Sequence, residues 1–288
     1  MQLAPHFPAV RDARHFQIFG QASILAIGLS LREFEISLIQ IAAILATCFT
    51  AQWLGCALNA IRFDWRSPLI TTLSLSLLLR ADDLFPLMLA AVIAIGSKFA
   101  LRLNNKHLFN PANAGIVAVI LLTDAAWTTP GQWGTALWFA LFIALAGSLV
   151  THRATRLDVP LIFLGAYAAL LFARALWLGD PVAIPLLRLQ NGALILFAFF
   201  MISDPKTTPD GPLWRAAFSI GAALVAYVLT FHFYVTDGLF YALAIMCLIR
   251  PLIEIFDLAP RFQWGAKPSR LEFPSRPPRR APRALPAE

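Results

Sequence analysis

Ile36–Ile61 reads ISLIQIAAILATCFTAQWLGCALNAI, an apolar stretch bounded by Glu35 and Arg62 that contains no charged residue. A spanning helix needs about 20 predominantly apolar residues, and this run supplies them with margin. The rest of the 288-residue chain has the same character. Hydrophobic residues make up 59% of it and charged residues 14%, against about 45–50% and 25% in ordinary globular domains. Too few polar groups remain to coat a soluble surface. The fold class expected is an all-α polytopic membrane protein.

Outward from that stretch, ten segments qualify as transmembrane helices once helices shielded by neighbours are allowed to be short or broken. They are Phe16–Leu31, Ile36–Ile61, Ser67–Leu79, Leu84–Leu101, Pro111–Ala126, Trp133–Val150, Val159–Leu178, Val182–Ile202, Leu213–Val235 and Leu239–Ile255. The bias of Lys and Arg toward cytoplasmic loops tests the count. With the N-terminus inside, the inner loops and the tail hold 18 of the 23 basic residues; the outer loops hold Arg32, Arg80, Arg174 and Arg188, and Lys98 lies within a segment. Ten spans with both termini cytoplasmic satisfy the bias, whereas nine or eleven scramble it.

The expected organisation is a cytoplasmic N-terminal segment 1–15, a transmembrane domain 16–255, and a disordered basic cytoplasmic tail 260–288 rich in Pro, Arg and Ala. The tail either rests on anionic lipid or is simply solvated. The N-terminus shows no cleavage site after a short apolar core, so a retained helix is expected. The net charge of +7 does not indicate nucleic acid, because the basic residues form no patch with interleaved aromatics. Cys48, Cys56 and Cys247 lie in apolar runs without a Cys-x-x-Cys pair and read as small core residues, with no metal centre implied.

Two segments are unusual in matching ways. Ser67–Leu79 is short, opens on Ser67-Pro68 and closes on Arg80-Ala81-Asp82-Asp83; Gly192–Ile202 is short, follows Arg188-Leu189-Gln190-Asn191 and closes on Ser203-Asp204-Pro205. This spacing predicts two inverted five-helix repeats, about 16–127 and 133–255, with a site where the broken helices meet and free their backbone groups.

Four polar groups are candidates for that site. Ser67, Thr71 and Thr72 open the third segment, where hydroxyls serve either a ligand or the helix carbonyls. Lys98, near a helix end, either snorkels or faces the site. Asn110 is a natural cap for a helix starting at Pro111, but Asn113, one turn in, needs a partner inside the bundle. Ser203, Asp204 and Thr207 follow the second short helix, with Lys206 close enough to keep Asp204 charged; this is either an ordinary Asp-Pro turn or a ligand site.

Phe109-Asn110-Pro111-Ala112-Asn113-Ala114-Gly115 and Phe199-Phe200-Met201-Ile202-Ser203-Asp204-Pro205-Lys206-Thr207-Thr208-Pro209 resemble paired signatures of the B subunit of sodium-pumping NADH:quinone oxidoreductases and the D subunit of Rnf complexes. Ser67-Pro68-Leu69-Ile70-Thr71 is similar to the same family, and the resemblance runs from about Arg62 to Glu254. It implies ten helices in two inverted halves, on a scaffold like that of urea transporters, and a subunit that carries flavin in the membrane. In the family, FMN is esterified to a threonine of a Ser-Gly-Ala-Thr-like stretch between the fifth and sixth helices. Here Leu122–Thr135 contains no such stretch, so no covalent flavin is expected and Thr128, Thr129 and Thr135 are only weak candidates. A shorter N-terminal region makes the D-like branch the nearer resemblance.

The function expected is an RnfD-like subunit of an electron-transport complex in a bacterial-type inner membrane. FMN or riboflavin, or a quinone, would be held non-covalently by Ser67, Thr71, Lys98, Asn110, Asn113, Ser203, Asp204 and Thr207. The chain has no dinucleotide-binding glycine motif and no cluster ligands, so other membrane subunits of a redox complex must supply electrons. The rival expectation is a transporter or channel that kept the scaffold and lost the redox role; an assembly protein with an empty site is a third.

Overall fold

The computed structural model describes residues 12–103, 106–257, 259 and 262. The expected N-terminal segment 1–15 is therefore described only from Asp12, and the tail 260–288, residue 262 apart, lies outside the described residues. The described chain is mostly helical: α1 (Ala13–Leu31), α2 (Leu38–Leu58), α3 (Arg66–Leu78), α4 (Leu84–Ala100), α5 (Pro111–Leu122), α6 (Leu137–Arg153), α7 (Asp158–Leu178), α8 (Ala183–Leu189), α9 (Gly192–Leu196), α10 (Pro212–Phe231) and α11 (Gly238–Glu254). Local chemistry sets several starts and stops. Ser37 and Gln40 close a capping box on α2, Asn110 caps α5 ahead of Pro111, and Gly179 in the left-handed conformation ends α7.

Among the described residues, α2, α7 and α10 are long and apolar enough to cross a membrane alone, and α4, α5 and α6 are apolar but shorter. The stretch expected as one segment at Val182–Ile202 is two helices, α8 and α9, bent by 50°. After Leu196 the chain continues as a π-helical turn, Phe197–Met201, buried throughout.

The fold is not wholly helical. α3 has 13 residues, about 20 Å of helix, less than the roughly 30 Å of a bilayer's hydrocarbon core. Its chain continues extended as β1 (Leu79–Ala81), fully buried, and β1 pairs antiparallel with β4 (Ala126–Thr128), Arg80 opposite Trp127. The helix expected over Pro111–Ala126 thus stops at Leu122 and its end joins this ladder. The physical reason is that extended backbone inside a bundle must find partners for its N–H and C=O groups, and two such stubs satisfy each other. A smaller hairpin, β2 (Arg102–Leu103) with β3 (Lys106–His107), connects α4 to α5.

α2 packs on α4, α4 on α5, and α1 on α3; likewise α7 packs on α10, α10 on α11, and α6 on α9. Contacts between the two sets include α1 against α6 and α5 against α11. Small residues bring α4 and α5 together: a Cβ built on Gly115 would lie 2.4 Å from the Ala90 carbonyl oxygen, a contact no side chain can make. That close approach fixes the helix bearing Lys98 against the helix bearing Asn113.

Candidate functional site

A polar chamber of about 110 Å³ lies among α1, α3, α4, α6 and the turn that follows the π-helical segment. Six of the eight residues expected from sequence line it: Ser67, Thr71, Lys98, Asn110, Ser203 and Asp204. Asn113 and Thr207 are buried but do not line it. The apolar part of the wall includes Ile70, Val150, Phe199 and Phe200.

Lys98 does not snorkel. It is 4% exposed and its Nζ donates to Ser67 Oγ at 2.9 Å. Thr71 and Thr72 donate to the carbonyls of Ser67 and Pro68 one turn back, so their protons serve the helix. Asn110 caps α5 through the Asn113 N–H and turns its amide toward Met201 O and Asp204 Oδ2, both at 3.4 Å. Asn113 finds the partner it needs in Phe240 O, 3.1 Å away on α11, while its Oδ1 is buried without one.

Asp204 is at once a turn residue and a site residue. Its Oδ1 accepts from the Lys206 N–H at 2.9 Å, and its carbonyl accepts from the N–H and hydroxyl groups of Thr207 and Thr208. Ser203 Oγ donates to Phe199 O at 2.6 Å. Burial raises the Asp204 carboxyl above its ordinary range, outweighing the Lys206 N–H and the neighbouring cations that pull it down. The Lys206 N–H and the Lys206 charge both favour the carboxylate form against this desolvation, while Lys206 Nζ itself reaches Phe262 O and burial lowers its own pKa. His107, on the same wall, is pushed down to about 4 by burial, with the charges of Lys98, Arg102 and Lys206 adding to the effect.

A network of buried ion pairs holds the Asp204 turn from behind. Lys106 Nζ pairs with Asp210 at 2.6 Å and Glu254 at 3.1 Å, Arg156 pairs with Asp210 at 2.9 Å, and Arg250 donates to the carbonyls of Lys206 and His107. Asp257 accepts from the N–H groups of Asp210 and Gly211. Sequence reading placed these basic residues in loops and missed the network, because each pair joins positions far apart in the chain.

A second, wider chamber of about 650 Å³ is lined by Trp133, Tyr167, Arg188, Asn191 and Phe240 among others, and it gathers Thr128, Thr129 and Thr135. Thr128 donates its hydroxyl to the Asp237 carboxylate, and Thr129 Oγ1 is buried without a partner. Among the described residues no group of His, Cys, Asp or Glu could hold a metal ion.

The match to known proteins falls on the second half of this architecture. Residues 119–262, half the chain, match the model of the NQR2, RnfD, RnfE family. The chain belongs to that family. It is similar to the D subunit of the ion-translocating oxidoreductase complex of Escherichia coli O1:K1 / APEC, 30% identical over 138 residues, 47% of this chain and 36% of the relative. The corresponding protein of E. coli O9:H4 (strain HS) is 31% identical over 140 residues, with the same shares. The match thus spans about a third of the length of these relatives. The part matched to the family model includes the Asp204 turn and the Thr128–Thr135 region; Ser67, Thr71, Lys98, Asn110 and Asn113 precede it.

Proposed function

We propose that the chain is an RnfD-like membrane subunit of an ion-translocating oxidoreductase complex and that it seats the polar edge of a flavin or quinone, non-covalently, in the polar chamber. The carrying observation is convergence: Ser67, Thr71 and Lys98 from the first half and Ser203 and Asp204 from the second meet on one chamber, between aromatic and aliphatic walls. The names of the relatives support the complex.

The room is near that of the roughly 150 Å³ cavity that takes one benzene ring. A quinone head or the pyrimidine end of a flavin suits it, with the rest of the ligand in the mouth. When bound, such a group accepts and returns electrons. The chain's own residues orient it: Asn110 and Ser67 offer polar atoms to its edge, Phe199 and Phe200 exclude water. Electrons reach it through other membrane subunits of the complex.

Ten crossings in two inverted repeats belong to this reading, in the membrane of a bacterial cell with both termini on the cytoplasmic side. The parallel packing orders support it: α1 to α5 correspond to α6, α7, α8 with α9, α10 and α11, and α1 meets α6 as α5 meets α11. The ends correspond too. The stub after α3 pairs with the stub after α5, and the turn after α9 bonds to Asp257 and Phe262 beyond α11.

The test is the absorption spectrum of the purified protein, followed by titration with riboflavin and with ubiquinone-1. Saturable binding of one of them is expected, with all flavin released on denaturation. A colourless protein that takes up neither would overturn the redox reading in favour of a transporter or channel. A fluorescent band on a denaturing gel that vanishes in Thr128→Ala, Thr129→Ala or Thr135→Ala would instead reveal a phosphoester.

A further inference from the structure

Three neighbouring cations are matched by carboxylates; among the described residues Lys98 and the half-buried Lys206 are not, and Lys98 is the more deeply buried of the two. Arg14 is held by Asp12 and Asp64, Lys106 by Asp210 and Glu254, and Arg156 by Asp210. Among the described residues no carboxylate lies within ion-pairing distance of Lys98, whose Nζ donates to the neutral hydroxyl of Ser67. The carboxylate of the same chamber, Asp204, is engaged by the Lys206 N–H and the Asn110 amide. A buried ammonium without a counter-ion is among the most costly arrangements in a protein, and a single hydroxyl does not offset it. Within membrane helices such residues face the bundle interior and mark function. The other titratable groups on the chamber wall, Arg14, His107 and Lys206, add no negative charge.

We infer that Lys98 is the charge partner of the bound ring, so that the chamber holds the ligand more tightly in its reduced, anionic form than in its neutral, oxidised form. This rests on the redox reading above and specifies the charge state that its site selects. The chemistry balances simply. Two electrons from a reduced partner protein of the complex, or from dithionite in the test, and one proton from water convert the neutral ring to a mono-anion. One N–H bond forms on a flavin, or one O–H bond on a quinone; no other bond forms and no bond of the ring skeleton breaks. The remaining negative charge lies at the polar edge, where a fixed ammonium in a water-poor chamber has its greatest effect.

The experiment is a potentiometric titration of riboflavin bound to the purified full chain, using wild type, Lys98→Met and Lys98→Arg. Methionine matches the length of lysine and removes a buried charge, so the variant is expected to fold. In wild type the midpoint should lie above that of free riboflavin. Lys98→Met should lower the reduced-over-oxidised affinity ratio about tenfold, equal to about 30 mV at two electrons, and Lys98→Arg should keep most of the ratio. A lysine that merely tied α4 to α3 would alter thermal stability and leave this ratio alone. Riboflavin bound with an unchanged midpoint in Lys98→Met overturns the inference and leaves the redox reading standing. A wild-type midpoint below that of free riboflavin overturns it whether or not the variants fold. If neither riboflavin nor ubiquinone-1 binds wild type, both fall together.

Discussion

Asp204 and Asp82 both follow a short apolar helix, yet Asp82 and its neighbour Asp83 are exposed while Asp204 sits in the polar chamber. Asp204→Asn keeps an oxygen for the Lys206 N–H and so keeps the turn, but removes the ionisable group. The expected outcome is normal assembly with ligand affinity or electron transfer reduced about tenfold or more, the scale of a lost charged hydrogen bond. Asp82→Asn and Asp83→Asn should stay near wild type. Full activity in Asp204→Asn would leave only the turn role. His107 gives a pH signature of the opposite sign to Asp204. Its folded pKa is about 4 against an ordinary 6.5. The folded state therefore resists protonation, so the stability His107 contributes is fully present above pH 6.5 and is lost as pH falls toward 4. Asp204, raised by burial, contributes stability below its ordinary range that is lost as pH rises through its folded pKa. Melting of the detergent-solubilised protein from pH 6.5 to 4 should decline in wild type and decline less in His107→Gln. Equal slopes would rule out a buried neutral imidazole.

The end of α3 shows what an element needs when it stops inside a bundle. Its last carbonyls have no helical partners. Arg80 Nη1 donates to Ser76 O at 2.8 Å and Leu79 O at 2.6 Å, and Gln132, itself held by Arg80 Nη2, donates to Leu77 O at 3.1 Å. Arg80→Met would remove both of these bonds and release Gln132, at roughly 1–3 kcal/mol for each buried carbonyl left unpaired. The melting temperature should fall well beyond that of Arg188→Met, a change at an exposed site; equal losses would show that Arg80 is not needed there. The shortness of α3 was legible from Ser67-Pro68 and the acidic turn, but Arg80 was read as an outer-loop charge. A signal did exist: if helical, the chain from Arg66 to Arg80 covers about 21 Å, too little to reach water on the far side of a roughly 30 Å core. The β1–β4 ladder had no such signal. Two three-residue strands show no alternation to detect, and their pairing depends on where two distant helices end.

At the scale of the whole chain, apolar length made the helices readable, and the two short segments marked where helices stop or bend inside the bundle. The polar chamber was readable residue by residue because asparagine, lysine and aspartate stand out against an apolar background. The ion pairs behind it were not, since charges near helix ends are common and their partners are set by packing. Orientation is the remaining property that one experiment can decide. α7 has 21 residues, about 31 Å of helix, which matches the hydrocarbon core and makes it the clearest crossing. His152 lies exposed just before it and Pro181 exposed just after it, so one crossing separates them. Cys48, Cys56 and Cys247 are all buried, which keeps background labelling low. The basic-residue bias puts His152 on the cytoplasmic side. In intact cells a membrane-impermeant maleimide should label Pro181→Cys, and His152→Cys only after the membrane is opened. Reversal of the two would invert the orientation while preserving the fold. Labelling of both from outside would mean that α7 does not cross, and the inverted repeat, which needs an odd number of crossings in each half, would fail with it.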